Sequence, residues 1–492
     1  MSSYIPPALI IVGYISIMLW IGTWGYKHFS TGTAEEYILA GRAKGWFLAG
    51  STLMAAQYSA FTFLGAPGLF FGIGLRGYIP FCGMFIGLSL LYWFVFGGRI
   101  WKIGRKFIHT TPSEMFKHFY ESPAVGYVAA VVLIIALLPY LQTQLMGGAY
   151  LLQVATGGYV NYAMGVFIIY AICAYYTLMG GMHSMVYADA FQGSFLTVAM
   201  ILSAGLIVYA SGGLTVMFDN IASKHMDHLL VSYTGKWNWT FMVTWAIAVG
   251  LGWPHHPHMW IRMHVSKSVQ SNRLWPVWIS VTYPIVMVSA YLIGNAAFVN
   301  LPNIAQPDQS LPLIVEKHMP LWFLGLICAG GLAALISSLA GQLHGVSSVV
   351  SYDLAQIQQK KNLSETRKVT IVRITVALTA LVGVALSFAN IKLLALLGGI
   401  SAALGAMVLP CAVAALIGIP WVTKYGAISS MIGGVFITVL FTTYKPLMNP
   451  LDIYGGAWGL IVAIVLMVVV SLMTQGSRPS QKIIEQYNAV GW

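Results

Sequence analysis

Ser337 and Ser338 stand side by side in the stretch AALISSLAGQLHGVSSVVSYDL at 333–354, within an apolar run from about residue 320 that exceeds the roughly 20 residues needed to cross a membrane. Ala334 lies three and four residues before them, on the same helical face. Its carbonyl and the two hydroxyls would present three oxygens together. Hard cations such as Na⁺ prefer oxygen ligands, and polar groups at membrane depth are costly unless they pair or bind something. Serines in membrane helices also bond back to carbonyls four residues earlier. Taken alone, the pair is either half of a small cation site or self-satisfied.

Two other stretches combine polar side chains with helix breakers. QYSAFTFLGAPG at 57–68 places Gln57, Ser59 and Thr62 before Gly65, Pro67 and Gly68. WPHHPHMWIRMH at 253–264 follows Gly250 and Gly252 and sets His255 and His256 between Pro254 and Pro257, with His258 after them. The histidines suit a transition metal by type, but Pro254 and Pro257 rule out a regular helix and with it the i, i+4 spacing of helical zinc sites. No carboxylate lies nearby in sequence, so ordering or gating is favoured over substrate contact, and both over metal. Each break alone reads as a proline kink. As a pair at corresponding places in two halves, they point to a transporter binding site, because irregular backbone at membrane depth survives only where it lines a cavity or is buried in protein.

Composition decides what carries these residues. The chain has 492 residues, 58% hydrophobic and 8% charged, where a soluble protein would carry about a quarter charged. Apolar runs predict thirteen transmembrane helices, at 6–27, 45–74, 77–101, 124–155, 159–179, 184–210, 237–262, 272–300, 320–354, 368–389, 392–419, 424–444 and 454–475. Residues 1–7 lack the basic start of a cleavable signal peptide. The net charge of +12 is topological rather than a nucleic-acid footprint. With the N-terminus outside and the C-terminus cytoplasmic, 19 of the 25 Lys and Arg fall on the cytoplasmic side, and the exceptions are Arg76, Lys224, Lys236, Lys317, Lys392 and Lys445. Cys82, Cys173, Cys328 and Cys411 all fall in apolar runs without metal spacing and read as buried thiols.

Four motifs in order carry a family resemblance: GRAKGW at 41–46, STLMAAQYSAFTFLGAPG at 51–68, GGMHSMVYADAFQG at 180–193, and the serine stretch. Together they resemble the sodium/solute symporters, which include proline, pantothenate, sialic acid, sugar and monocarboxylate carriers. The likeness covers roughly residues 5–475. It implies an all-α membrane protein with the leucine-transporter-type five-plus-five inverted repeat. The expected division is an extra N-terminal helix and cytoplasmic loop at 1–44, repeats at 45–210 and 237–419, an extracellular loop at 211–236, two C-terminal helices at 420–475 and a cytoplasmic tail at 476–492.

The resemblance also implies a sodium site of two carbonyls from the first broken helix, Ala55 and Tyr58, with the Ala334 carbonyl and the Ser337 and Ser338 hydroxyls. Where some members add hydroxyls for a second sodium, this chain has Ala340 and Gly341, so one sodium per cycle is expected. Asp189 matches the family's aspartate and Arg262 its arginine after the Pro-His pair; both are read as gating or structural. Gln57 stands where proline carriers have an aspartate, which predicts modest sodium affinity and leaves proton coupling open.

In that fold a solute would meet Gln57, Ser59, Phe61 and Thr62, Gln144 with Tyr140, and Trp253, His255 and His256. QYSAFTFLGAPG and LLPYLQTQLMGG (137–148) resemble the bacterial monocarboxylate carriers. No Lys or Arg is expected at the depth of the site. A short monocarboxylate of the lactate, pyruvate or propionate type follows. The alternatives are a small amino acid such as proline or alanine, pantothenate, or proton-coupled carboxylate transport. Na⁺ is the coupling ion, with no organic cofactor, no nucleic acid and no obligate protein partner expected. The setting is a lipid bilayer, as a multi-pass bacterial inner-membrane protein. A channel, a membrane enzyme and a sensor are disfavoured: no GxSxG or HExxH occurs, and the tail is too short for a signalling domain.

Overall fold

The structure is a computed structural model that describes residues 2–29, 32–231, 237–356, 363–389, 394–443 and 450–492. Lys236, Lys360, Lys361, Lys392 and Lys445, five of the 25 Lys and Arg, lie outside them, as do the expected loop boundary at 236 and the expected span ends at 392 and 444. The described residues form helices joined by short turns, with a single bridge pairing Lys44 with Ser266 and no strand.

Ten described helices are long and apolar enough to cross a membrane, and a bent pair would make an eleventh. The expected thirteen is not reached by that measure, for two reasons. The runs 159–179 and 184–210 are joined in one 49-residue element, Tyr162–Ala210, broken only at Gly181, whose φ of 52° is left-handed. The run 237–262 is divided into pieces each too short to pass: Trp239–Gly252, a 3-10 turn Trp253–His255, and Pro257–Val265.

Helix Leu321–Val349, continued by a π turn to Leu354, forms the centre. Its most apolar window is 94% buried, against 28% for that of Ile5–His28 at the periphery. An apolar helix this enclosed needs small residues where neighbours come close. A side chain on Gly331 would meet Phe63, and one on Gly345 would lie 2.8 Å from the His258 nitrogen.

The first break is displaced from its expected place. Trp46–Gln57 ends at Tyr58, which is extended, and the chain resumes as a π turn Phe61–Gly65 running into Ala66–Ile73, with a 52° bend. Gly65, Pro67 and Gly68 therefore lie beyond the break. Pro67 sits in the first turn of the second half, Ala66–Ile73, where a missing N–H is tolerated. The glycines serve close approach: a Cβ on Gly65 would lie 3.2 Å from the Ala395 nitrogen, and one on Gly68 2.8 Å from the Pro307 carbonyl carbon. The second break falls where the prolines dictate. Pro257 holds His256 extended, with ψ at 130°.

Candidate functional site

The first break leaves backbone groups without helical partners, and side chains from other helices and from Ser59 within the break supply them. Gln144 Oε1 accepts from the Ala60 nitrogen at 2.9 Å, and Ser59 Oγ from the Phe61 nitrogen at 3.1 Å. The Ser337 hydroxyl donates to the Ala334 carbonyl at 2.9 Å and reaches the Ala55 carbonyl at 3.3 Å. The Ser338 hydroxyl donates to the Tyr58 carbonyl at 2.6 Å. All five oxygen groups expected of the cation site thus meet between the end of Trp46–Gln57 and the middle of the central helix. They are uncharged, oxygen-only and buried, the donor type a small hard cation selects.

Next to them lies a ring of aromatic and amide side chains. Trp253 Nε1 donates to Gln57 Oε1. An indole N–H only donates, so the Gln57 amide is fixed with its oxygen toward Trp253. Gln57 Nε2 has no partner among the described residues, while the Tyr140 hydroxyl lies beside the Ser59 and Ser338 hydroxyls. Tyr140 stacks on His256 at 5.9 Å and meets Trp253 edge-on at 4.9 Å. Phe61 stacks on Phe81 at 5.3 Å and faces Trp253 at 6.5 Å. Thr62 Oγ1 reaches the Gln57 carbonyl at 3.4 Å. None of the eight candidate solute residues is more than 3% exposed, so this centre is closed to both ends of the bundle.

Two placements differ from the sequence reading. His255 leaves the ring: its Nδ1 bonds the Leu251 carbonyl at 2.9 Å and its imidazole packs on Tyr92 at 4.8 Å. The histidines hold no metal cluster, and none of three or more ligating side chains occurs among the described residues. A cation also lies closer than expected. Arg262 is 1% exposed and sits against Gly341, one helical turn beyond Ser338. It bonds Asp189 Oδ2 at 3.2 Å, Thr52 Oγ1 at 2.9 Å and the His258 carbonyl at 3.2 Å, while Thr52 donates to Asp189. A Cβ at 341 would lie 2.5 Å from Arg262 Nη1, so the missing hydroxyl that argued against a second sodium also makes room for a guanidinium. Arg262 and Asp189 neutralise each other, leaving the ring around Gln57 without net charge. Near them the bridge between Lys44 and Ser266 ties the first broken helix to the end of the second.

Thr52, Phe81 and Ser401 were not singled out from the sequence. Ser401 donates to the Ala136 carbonyl at 2.6 Å and meets His256 Nε2 at 3.2 Å. Only Thr52 carries a signal, as it lies one turn before Ala55 on the same helix. The link between Trp253 and Gln57 gives a testable outcome. Trp253→Phe strands a buried amide oxygen, so half-saturation for solute should rise about fivefold to tenfold, with the sodium dependence unchanged; paired uptake curves check this.

The sodium:solute symporter family matches residues 37–434. The chain is 26% identical over 489 residues to the sodium/proline symporter of Staphylococcus aureus (strain bovine RF122 / ET3-1), covering 95% of this chain and 92% of that one. It is 27% identical over 480 residues to the osmoregulated proline transporter OpuE of Bacillus subtilis (strain 168), covering 95% and 94%. Among solved structures, a Na⁺-coupled sialic acid symporter in a substrate-bound outward-open state superposes with a TM-score of 0.81 at 18% identity, covering 97% of this chain and 98% of the other. The transporter Mhp1 in a closed conformation superposes at 0.56. With that match over most of its length, the chain belongs to the sodium:solute symporter family.

Proposed function

We propose that this symporter moves one Na⁺ with one short monocarboxylate by alternating access. The observation that carries the solute reading is the inventory of unpartnered groups around the closed centre. Gln57 Nε2 is free to donate among the described residues, the Tyr140 hydroxyl beside Ser59 and Ser338 can turn toward a solute, and the Gln57 and Gln144 oxygens are already used. Nδ1 of His256 is the acceptor left in this ring, because Nε2 must donate to the Ser401 carbonyl. A carboxylate suits free donors and a bound cation. The ammonium of an amino acid would find no carboxylate there and would be poorly compensated.

In this reading Ala55, Tyr58, Ala334, Ser337 and Ser338 hold the sodium, and their hydroxyls turn from the carbonyls to the ion. Sodium joins the first broken helix to the central helix and lowers the ordering cost for the solute. Asp189 and Arg262 act as an inner gate, with Arg262 where a second cation would otherwise balance Asp189. The domain reading belongs to the same proposal: thirteen spans, inverted repeats at 45–210 and 237–419, and the basic loops cytoplasmic.

The second reading, a proline carrier, is favoured by the names of the two bacterial relatives above. Charge separates the two. Na⁺ with a monocarboxylate is neutral, so uptake should be indifferent to membrane potential, whereas Na⁺ with zwitterionic proline carries one charge and gains about 2.3 kcal/mol, about fiftyfold accumulation, per 100 mV. Uptake of labelled lactate, pyruvate and proline at clamped potentials tests this. The sodium activation curve should have a Hill coefficient near one. A value near two, or a proton gradient driving uptake without sodium, would refute the single-sodium reading.

A further inference from the structure

At the end of the bundle away from Lys44, residues 301–309 fold over the outer half of the first broken helix. Their seat is tight, as Gly68 leaves no room for a Cβ beneath Pro307. Within this loop Asp308 turns inward and is 1% exposed. Its Oδ2 accepts from the nitrogen of Leu394, the first described residue of helix Leu394–Gly405, at 3.0 Å, while its Oδ1 has no partner among the described residues. That helix reaches the closed centre, since Gly398 lies against Phe61 and Gly405 against His256. One carboxylate thus joins the loop, the helix and, through Gly65 and Gly68, the outer half of the broken helix.

No cation balances this carboxylate among the described residues packed on the loop. The outer half Ala66–Ile73 and the turn Phe61–Gly65 carry no titratable group. From the helix Pro123–Ala155, Tyr150 faces it. On Ser310–His318 the charged residues are at the far end, where Glu316 accepts from Tyr4 and Lys317 donates to the Asn300 carbonyl at 2.7 Å, with His318 beside them. Arg76, beyond Ile73, pairs with Asp227 at 3.6 Å. Lys392 lies outside the described residues.

We propose that Asp308 is a proton-binding site of the outer gate: closing the loop over the site binds one proton at its carboxyl, and opening releases the proton to the same side. The proton therefore gates the cycle and is not carried across. Burial pushes the Asp308 carboxyl up to about 7, against the counteracting bond from Leu394. In an open loop the carboxyl returns toward its ordinary value near 4. The closed form has the higher affinity for the proton. Its advantage is therefore complete below about pH 4, declines as pH rises, and is gone above about pH 7. The calling of this end the outer one rests on the orientation proposed above.

Ser310→Cys reports the opening. Ser310 is buried two residues beyond Asp308 and its hydroxyl is unpartnered. The full chain, with Cys82, Cys173, Cys328 and Cys411 replaced by alanine, is purified in detergent, so both faces see one pH and the result is independent of orientation. Labelling by a polar maleimide is compared between Asp308 and Asp308→Asn, and the ratio cancels the reagent's own pH dependence. The ratio should rise about tenfold from about pH 6 to about pH 8 and level off above. A ratio flat from about pH 5 to about pH 9 overturns the proposal. If Asp308→Asn does not fold, Asp308→Ser, which still caps the helix without titrating, takes its place. The Asp308 protein's rate divided by that of a small free thiol must then show the same rise.

Discussion

Ser338→Ala should raise the sodium concentration for half-maximal uptake about tenfold to a hundredfold, the range expected for losing an oxygen partner of a charged group. The Ser338 hydroxyl is 2.6 Å from the Tyr58 carbonyl, and together they span the gap between the central helix and the broken one. Removing the hydroxyl deletes one oxygen and leaves the other facing a methyl group. Ser338→Thr keeps the oxygen and should keep most of the sodium affinity. Expression and solute half-saturation at high sodium should change far less, which separates loss of a sodium partner from a folding defect. An unchanged sodium curve in a folded Ser338→Ala protein would remove the serines from the account.

The second large effect concerns Arg262. It and Asp189 are each 1% exposed and bond each other at 3.2 Å. Deleting one member of such a pair strands a buried charge and costs about 3–5 kcal/mol. Arg262→Ala and Asp189→Asn should each lower thermal stability strongly and abolish uptake. The double replacement Asp189→Asn with Arg262→Met leaves no charge and should recover much of the stability without recovering transport, because the links to Thr52 and the His258 carbonyl are still lost. Full stability and uptake in either single variant would contradict the gate. Sodium binding to detergent-purified Arg262→Ala, read without uptake, that rises from one ion to two would show that the guanidinium holds the place of a second cation.

The apolar runs were legible because a bilayer demands long uncharged stretches, and the structural ends of most helices fall within a few residues of them. The two breaks were also legible, one more accurately than the other. Pro254 and Pro257 act where they stand, since proline constrains its own N–H and the residue before it. Gly65, Pro67 and Gly68 misled, because glycine also marks close approach, and here that role wins. The true break at Tyr58–Ala60 is made by partners far away in sequence, Gln144, Ser337 and Ser338. For the same reason the turning of His255 to Tyr92 and the seat of Arg262 against Gly341 could not be read locally. The serine pair alone left two uses open, since hydroxyls in a membrane helix also bond back to their own carbonyls, as Ser337 does to Ala334; its meeting with the Ala55 and Tyr58 carbonyls was expected through the family resemblance. Asp308 was not, since a loop aspartate resembles any solvated one until its burial is known.

The most direct test of the account is the ratio of labelled sodium to labelled solute taken up in the same proteoliposomes, with the solute chosen from lactate, pyruvate and proline by which one accumulates. One sodium per solute, with both fluxes lost together in Ser338→Ala at low sodium, is the predicted result. Two sodium ions per solute, or solute flux that persists without sodium, would contradict a single site built from Ala55, Tyr58, Ala334, Ser337 and Ser338.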